Sequence, residues 1–180
     1  LDTARIMKTI SPELKIIFGG PEAGPVGRKY LKEHRFIDAV IKGEGEITFA
    51  ELLKVYLGEG RLEEIAGVSY RTDDRIIENP DRPPIEDLSE IPSPYLEGVL
   101  TPRDRVTYIE TYRGCMFKCH YCFEGKNTPK LRFFPEDRVK KEIELVLSRP
   151  EIKSFHFVDT VFNFKKDRLE RIASMISAAN

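Results

Sequence analysis

Val106-Thr107-Tyr108-Ile109-Glu110-Thr111-Tyr112, followed by Arg113-Gly114-Cys115-Met116-Phe117-Lys118-Cys119-His120-Tyr121-Cys122, is the stretch on which the reading of the fold turns. The first seven residues are rich in β-branched and aromatic side chains and predict a strand. The next ten hold every cysteine in the chain, three within eight residues, spaced Cys-x3-Cys-x2-Cys. An odd number cannot pair off into disulfides, and thiolates this close on a loop leaving a strand can converge on one small inorganic centre. A four-iron cluster suits the spacing: each iron takes one outside ligand, usually a thiolate, so three cysteines leave one iron open. Zinc is the alternative, with His120 completing a Cys3His set. Structural zinc sites, however, usually draw ligand pairs from two separated turns, and here all four candidates lie in one run.

Downstream of the loop, Pro135-Glu136-Asp137 has the chemistry of a helix first turn, with proline at the first helical position and acids facing the dipole. Val139, Ile143, Val146 and Leu147 supply its apolar face, and Arg149-Pro150 ends it. Ile152–Val158 predicts a second strand. Asn163 is placed to cap a last helix whose stripe is Leu169, Ile172, Ala173 and Ile176. The C-terminal part therefore reads as two βα units.

Upstream, six of the twelve prolines fall between residues 79 and 102. Proline fixes φ and removes a donor, so this segment predicts an extended, semi-rigid linker. Before it, helices alternate with short apolar strands, which suggests a parallel sheet with crossovers. An amphipathic helix spans residues 2–10, with Ala4, Ile6, Met7 and Ile10 apolar. Strands follow at 14–18 and 36–41, separated by a helix at 26–34. The helix at 47–57 has Phe49, Leu52, Leu53 and Tyr56 on one face. Residues 68–71 and 75–77 predict a β-hairpin.

The chain has 180 residues, 41% of them hydrophobic, and a formal net charge of −1. That length holds one domain or two small ones, and nothing in the charge points to nucleic acid. No apolar run is long enough to span a bilayer, and no signal peptide is evident. Cysteines confined to one cluster fit a reducing, cytoplasmic compartment. The chain opens at Leu1 and enters directly into a helical pattern, as expected of a piece of a longer protein.

The Cys-x3-Cys-x2-Cys run, with Tyr121 before its last cysteine, resembles the signature of radical S-adenosylmethionine (SAM) enzymes. Arg113-Gly114 before it and Phe123 after it resemble the subfamily with an upstream cobalamin-binding domain, whose members include magnesium-protoporphyrin monomethyl ester oxidative cyclases and methyltransferases. The resemblance implies that Cys115, Cys119 and Cys122 hold a [4Fe-4S] cluster, that SAM chelates the open iron, and that Tyr121 lies near the adenine. In that family an electron from the cluster cleaves SAM to a 5′-deoxyadenosyl radical. It also implies a role for Asp159, at the end of the second barrel strand, toward the SAM amino group; capping of the next turn is the other role open to it.

Gly19-Gly20-Pro21 and Gly43-Glu44-Gly45-Glu46 lie at the carboxyl ends of consecutive predicted strands, the edge where open α/β sheets bind ligands. By themselves they also suit ordinary βα turns. The segment from Ile16 through Glu46 resembles the later half of a cobalamin-binding domain, which implies that Gly19, Gly20, Gly43 and Gly45 approach a corrinoid. One departure stands out: base-off cobalamin domains carry Asp-x-His-x-x-Gly, and none of His34, His120 and His156 has an aspartate two residues before it. Around the cysteine loop, Arg113, Lys118, Lys126, Lys130 and Arg132 face one nearby acid, Glu124. They form either a patch offsetting thiolate and SAM charge or a solvated loop face.

The reading is thus an α/β chain: a partial Rossmann-like, cobalamin-binding-type parallel sheet at residues 1–78, a linker at 79–102, and the first βα units of a radical SAM partial TIM barrel at 103–180. Its function is reductive SAM cleavage at a [4Fe-4S] cluster to start methyl transfer or oxidative cyclisation on a small-molecule substrate, with an external electron donor. The piece alone is expected to be inactive and to retain cobalamin poorly. An open sheet edge in the second module predicts self-association or poor order around residues 113–134. The alternative is a non-catalytic Cys-rich module binding Fe–S or zinc for structure or electron transfer.

Overall fold

A computed structural model describes residues 1–73, 75–122 and 130–179, and the chain packs as two compact units, Leu1–Ile85 and Glu86–Asn180. The first unit is built on a four-stranded sheet in which β1 (Ile17–Phe18), β2 (Ala39–Ile41), β3 (Val68–Thr72) and β4 (Arg75–Glu78) lie side by side in that order. β1 and β2 are parallel, and β3 and β4 continue the sheet antiparallel. The sheet is therefore mixed: the hairpin, legible from its period of two, adds to the edge of β2 instead of only following it.

β2 is buried on both faces, and its alternation feeds two clusters. Ala39 and Ile41 pack with Leu52, Ile65, Val68 and Tyr70 under helix α4 (Glu46–Tyr56). Val40 packs with Ile16, Leu31 and Ile37 beneath helix α3 (Gly27–Glu33). Helices on both faces of a sheet with a parallel pair define the α/β class.

Several local expectations are corrected. The strand predicted at 14–18 begins only at Ile17, because the Ile16 amide donates to Asp38 Oδ2 (2.7 Å) rather than to a ladder partner. The same carboxylate accepts from Lys8 Nζ at 2.9 Å, tying helix α1 (Asp2–Ile10) to the strands. On α1 the apolar Ile6, Met7 and Ile10 are exposed. Gly20-Pro21 opens a short helix, α2 (Gly20–Ala23), with the proline in its first turn. On α4, Phe49 and Leu53 lie exposed while Thr48 is buried. Thr48 can replace an apolar residue because its hydroxyl donates to the Ala66 carbonyl at 3.1 Å.

In the second unit, β5 (Tyr108–Ile109) pairs parallel with β8 (His156–Phe157), joined through helix α5 (Glu136–Leu147), and helix α6 (Lys166–Ala179) follows β8. This is the expected βαβα order. The predicted strand at 106–112, however, is two short strands. After Ile109 the chain leaves the parallel pair, and β6 (Tyr112–Arg113) pairs antiparallel with β7 (Arg132–Phe133). The break falls where Asp159 captures the Thr111 amide at 2.8 Å. Likewise the strand predicted at 152–158 is shortened, because Asp104 Oδ1 accepts from the Lys153 and Ser154 amides at 2.7 and 2.8 Å. Pro135 is the N-cap of α5, one position earlier than predicted, and Asn163 lies three residues ahead of α6 and does not cap it.

Candidate cofactor sites

The cysteine loop leaves β6 and returns at β7, so a two-residue antiparallel pair ties its ends together. All three cysteines are free thiols: Cys115 is buried, Cys122 half-buried and Cys119 exposed. The Cys122 amide donates to the Cys119 carbonyl at 3.1 Å, placing the last two in one turn. Tyr121 is 92% exposed, on the outer side of that turn. Among the described residues no three His, Cys, Asp or Glu side chains, His120 included, are gathered as a metal site. Cys115 is thus held in the packed unit, while the other two thiols are more open to solvent. In its chemistry the donor set suits a thiophilic centre: three unpaired thiols on one strand-end loop with pinned ends.

Beneath the loop lies a polar network whose centre escaped the sequence reading. Asp159 has a wholly buried side chain and Arg168, on α6, one that is 8% exposed; their Nη2–Oδ2 distance is 2.5 Å. Asp159 also accepts from the Thr111 amide (2.8 Å) and the Thr111 hydroxyl (2.6 Å). Arg168 bonds the Thr111 hydroxyl and, through Nη1, the Phe162 carbonyl at 2.6 Å. The guanidinium lies 5.0 Å from the ring centre of Tyr112 and 5.4 Å from those of Phe162 and Phe164. A planar, always-charged guanidinium matches both the carboxylate and the rings, which lysine would not. Here the Asp159 carboxylate braces Thr111 and Arg168. The one signal for Arg168 in the sequence is its spacing: it precedes Ile172 by four residues, on the buried stripe of α6, where Ala173 is exposed.

Tyr112 and Thr160 continue the network upward. The Tyr112 hydroxyl accepts from the Val161 amide (2.7 Å), lies 2.8 Å from the Val161 carbonyl and 3.1 Å from Thr160 Oγ1. Thr160 in turn donates to the Gly114 carbonyl at 2.7 Å, one residue before Cys115.

The basic residues of the loop meet more acids than the nearby sequence contains. Arg113 makes a bidentate contact with Glu110, at 3.0–3.1 Å, and Lys130 bonds Glu86. Arg132 is buried; Lys126 and Glu124, like Phe123, lie outside the described residues, as do all of 123–129 within the 113–134 stretch for which self-association or poor order was expected. A pocket of about 240 Å³ opens between α5, α6 and β7, lined by Phe133, Val139, Ile172 and Met175. Of its charged residues, Arg171 pairs with Glu136 at 2.8 Å and Arg168 with Asp159.

In the first unit, Gly20 and Gly43 stand at the carboxyl ends of the parallel strands with φ of +81° and +71°, and a Cβ at either would meet nothing within 4 Å. Both positions favour glycine for backbone reasons, and both leave open space over the sheet edge. Gly19 and Gly45 sit closer in, with a Cβ 3.7–3.8 Å from Ile41 side-chain atoms. The Glu44 carboxylate accepts from the Ile85 amide at 2.7 Å.

No family model matches the chain. Among solved structures, the cobalamin-dependent SAM radical enzyme OxsB, with aqua-cobalamin and SAM bound, superposes with a TM-score of 0.70 at 18% identity over 98% of this chain and 26% of its own. The radical SAM methyltransferase TsrM from Kitasatospora setae gives 0.67 at 19% identity over 96% of this chain and 35% of its own. The fold is that of a segment of these enzymes. Among curated proteins, an uncharacterised methyltransferase of Pyrococcus horikoshii is 33% identical over 92% of this chain and 37% of its own length. The cobalamin-dependent radical SAM methyltransferase TokK of Streptomyces tokunonensis is 30% identical over 94% and 26%. The anaerobic magnesium-protoporphyrin IX monomethyl ester cyclase of Rubrivivax gelatinosus is 28% identical over 87% and 30%. Over most of its length the chain is similar to cobalamin-dependent radical SAM enzymes, and it spans between 26% and 37% of the length of these relatives.

Proposed function

We propose that this chain is the part of a radical SAM enzyme that holds a [4Fe-4S] cluster through Cys115, Cys119 and Cys122 and presents it to SAM, with Tyr121 against the adenine. The observation behind this is the placement of three free thiols on a loop tied at both ends by the β6–β7 pair, a few residues past the carboxyl end of the parallel strand β5. Strand ends of that kind are where α/β barrels assemble their chemistry. When bound, the cluster supplies the electron that cleaves SAM. The protein's own part is to hold the loop, to bury Cys115, and to keep the acids Glu110 and Asp159 engaged with arginines rather than with the thiolates.

The finer architecture follows from the same reading. Residues 1–78 form the later part of a cobalamin-binding-type sheet, 79–102 the joining segment, and 103–180 the start of a partial TIM barrel. The open edge over Gly20 and Gly43, flanked by Gly19 and Gly45, supports a corrinoid there. The whole enzyme transfers a methyl group or forms a ring on a small-molecule substrate, with electrons from an external donor, in a reducing compartment. No helix among the described residues is long and apolar enough to cross a membrane.

The test is anaerobic reconstitution of the chain with iron and sulfide, followed by iron analysis, absorption and EPR spectra with and without SAM. About four irons per chain and a SAM-perturbed spectrum are expected. A colourless protein that binds zinc instead would establish the Cys-rich structural module.

A further inference from the structure

We infer that Thr160, braced by Tyr112, is a positioning residue for Cys115; the inference rests on the cluster reading above. The peptide unit is planar and rigid, so fixing the Gly114 carbonyl oxygen fixes the plane that also contains the Cys115 amide and Cα. Gly114 has φ +103°, a region in which side-chain-bearing residues are strained, so its backbone can turn sharply out of β6. A hinge with that freedom needs something to select one orientation. The Thr160 hydroxyl does so by donating to the Gly114 carbonyl at 2.7 Å.

Proton counting makes the direction of this bond definite. A hydroxyl has one hydrogen. Thr160 spends its own on Gly114, so toward Tyr112 it can only accept. Tyr112 accepts from the Val161 amide and shares its single hydrogen between the Val161 carbonyl and Thr160. Tyr112 is itself fixed: it is 2% exposed and its ring lies against the Arg168 guanidinium, which Asp159 holds. A continuous chain of contacts therefore runs from Arg168 on α6, held by Asp159, through Tyr112 to Thr160 and the residue before the first cysteine. It matches the order of the thiols, because Cys115 is buried while Cys119, which no such contact reaches among the described residues, is exposed. Cys115 is the preset ligand on which the loop closes.

Thr160 as a whole is exposed, so Thr160→Val removes the hydroxyl's bond to Gly114 and its contact with Tyr112 with little change in packing. The experiment compares wild-type chain, Thr160→Val, Thr160→Ser, Tyr112→Phe and Val146→Ala after identical anaerobic reconstitution. The readouts are the rate of cluster loss to an iron chelator, the EPR g-values of the reduced cluster, and the apo-protein Tm. Thr160→Val and Tyr112→Phe should lose the cluster roughly three- to tenfold faster, the range set by one hydrogen bond, with shifted g-values. Thr160→Ser should restore both. Val146→Ala, a cavity in α5 away from the loop, should lower Tm and leave the g-values unchanged. A Thr160→Val protein with wild-type g-values and loss rate overturns the positioning role alone, as does a Val146→Ala protein that reproduces its spectrum. Wild-type chain that takes up no iron overturns the cluster reading and the positioning role with it.

Discussion

Arg168→Met is the most informative perturbation of the second unit. It keeps an unbranched side chain against Tyr112, Phe162 and Phe164 but removes the charge opposite Asp159, whose side chain has no exposure at all. Deleting one partner of a buried pair leaves the other desolvated and uncompensated, which costs about 3–5 kcal/mol. The two Thr111 bonds to Asp159 remain and place the effect toward the lower end. A unit of this size is stable by roughly 5–15 kcal/mol, so about 3 kcal/mol is a large fraction of the total. At about 4–8 °C per kcal/mol, its melting transition should fall by at least ~12 °C. The assay is thermal and urea unfolding of the apo chain by circular dichroism, fitted with one transition per unit. Asp159→Asn with Arg168→Met should recover part of the loss, because the double variant buries no charge. A fall of less than about 1 kcal/mol for Arg168→Met, in the range of a surface pair, would refute the assignment of this ion pair as the brace of the unit.

Cys119→Ala should collapse iron content on reconstitution, since a first ligand is lost; a variant that still holds four irons and supports SAM-dependent spectral change would contradict the ligand set. Tyr121→Ala should leave iron content unchanged and weaken SAM binding, read as a higher SAM concentration for the half-maximal spectral change; equal titration curves would remove Tyr121 from the adenine site. The Ser154 and Lys153 amides hold the Asp104 carboxyl below its ordinary value of 3.8. A lowered folded-state pKa stabilises above the unfolded value and is lost as pH falls through the folded one. The Tm difference between wild type and Asp104→Asn should therefore be full above about pH 4 and shrink on further acidification; a difference constant down to about pH 2 would show that those amides do not act through the charge.

The local elements were legible because they depend on neighbours a few residues apart. The hairpin of β3 and β4 announces itself by alternation around Thr72-Asp73, and α4 and α5 by apolar residues three and four apart. The cysteine spacing is likewise a local pattern, and it named the candidate ligands before any geometry. What the sequence could not decide is where one side chain displaces another. Phe49 and Thr48 are adjacent on α4, and it is the Ala66 carbonyl, eighteen residues from Thr48, that makes the polar one the buried one. The end of β5 depends on Asp159, forty-eight residues away from the Thr111 amide it captures. The acids that neutralise the loop arginine and lysine include Glu86, forty-four residues before Lys130. Arg168 reads as a solvated helix charge until the fold delivers a desolvated carboxylate and three aromatic rings to it. Periodicity records which face of an element is apolar. The pairing of buried polar groups is settled only when distant segments share one low-dielectric space, because there each charge and each donor must find its partner.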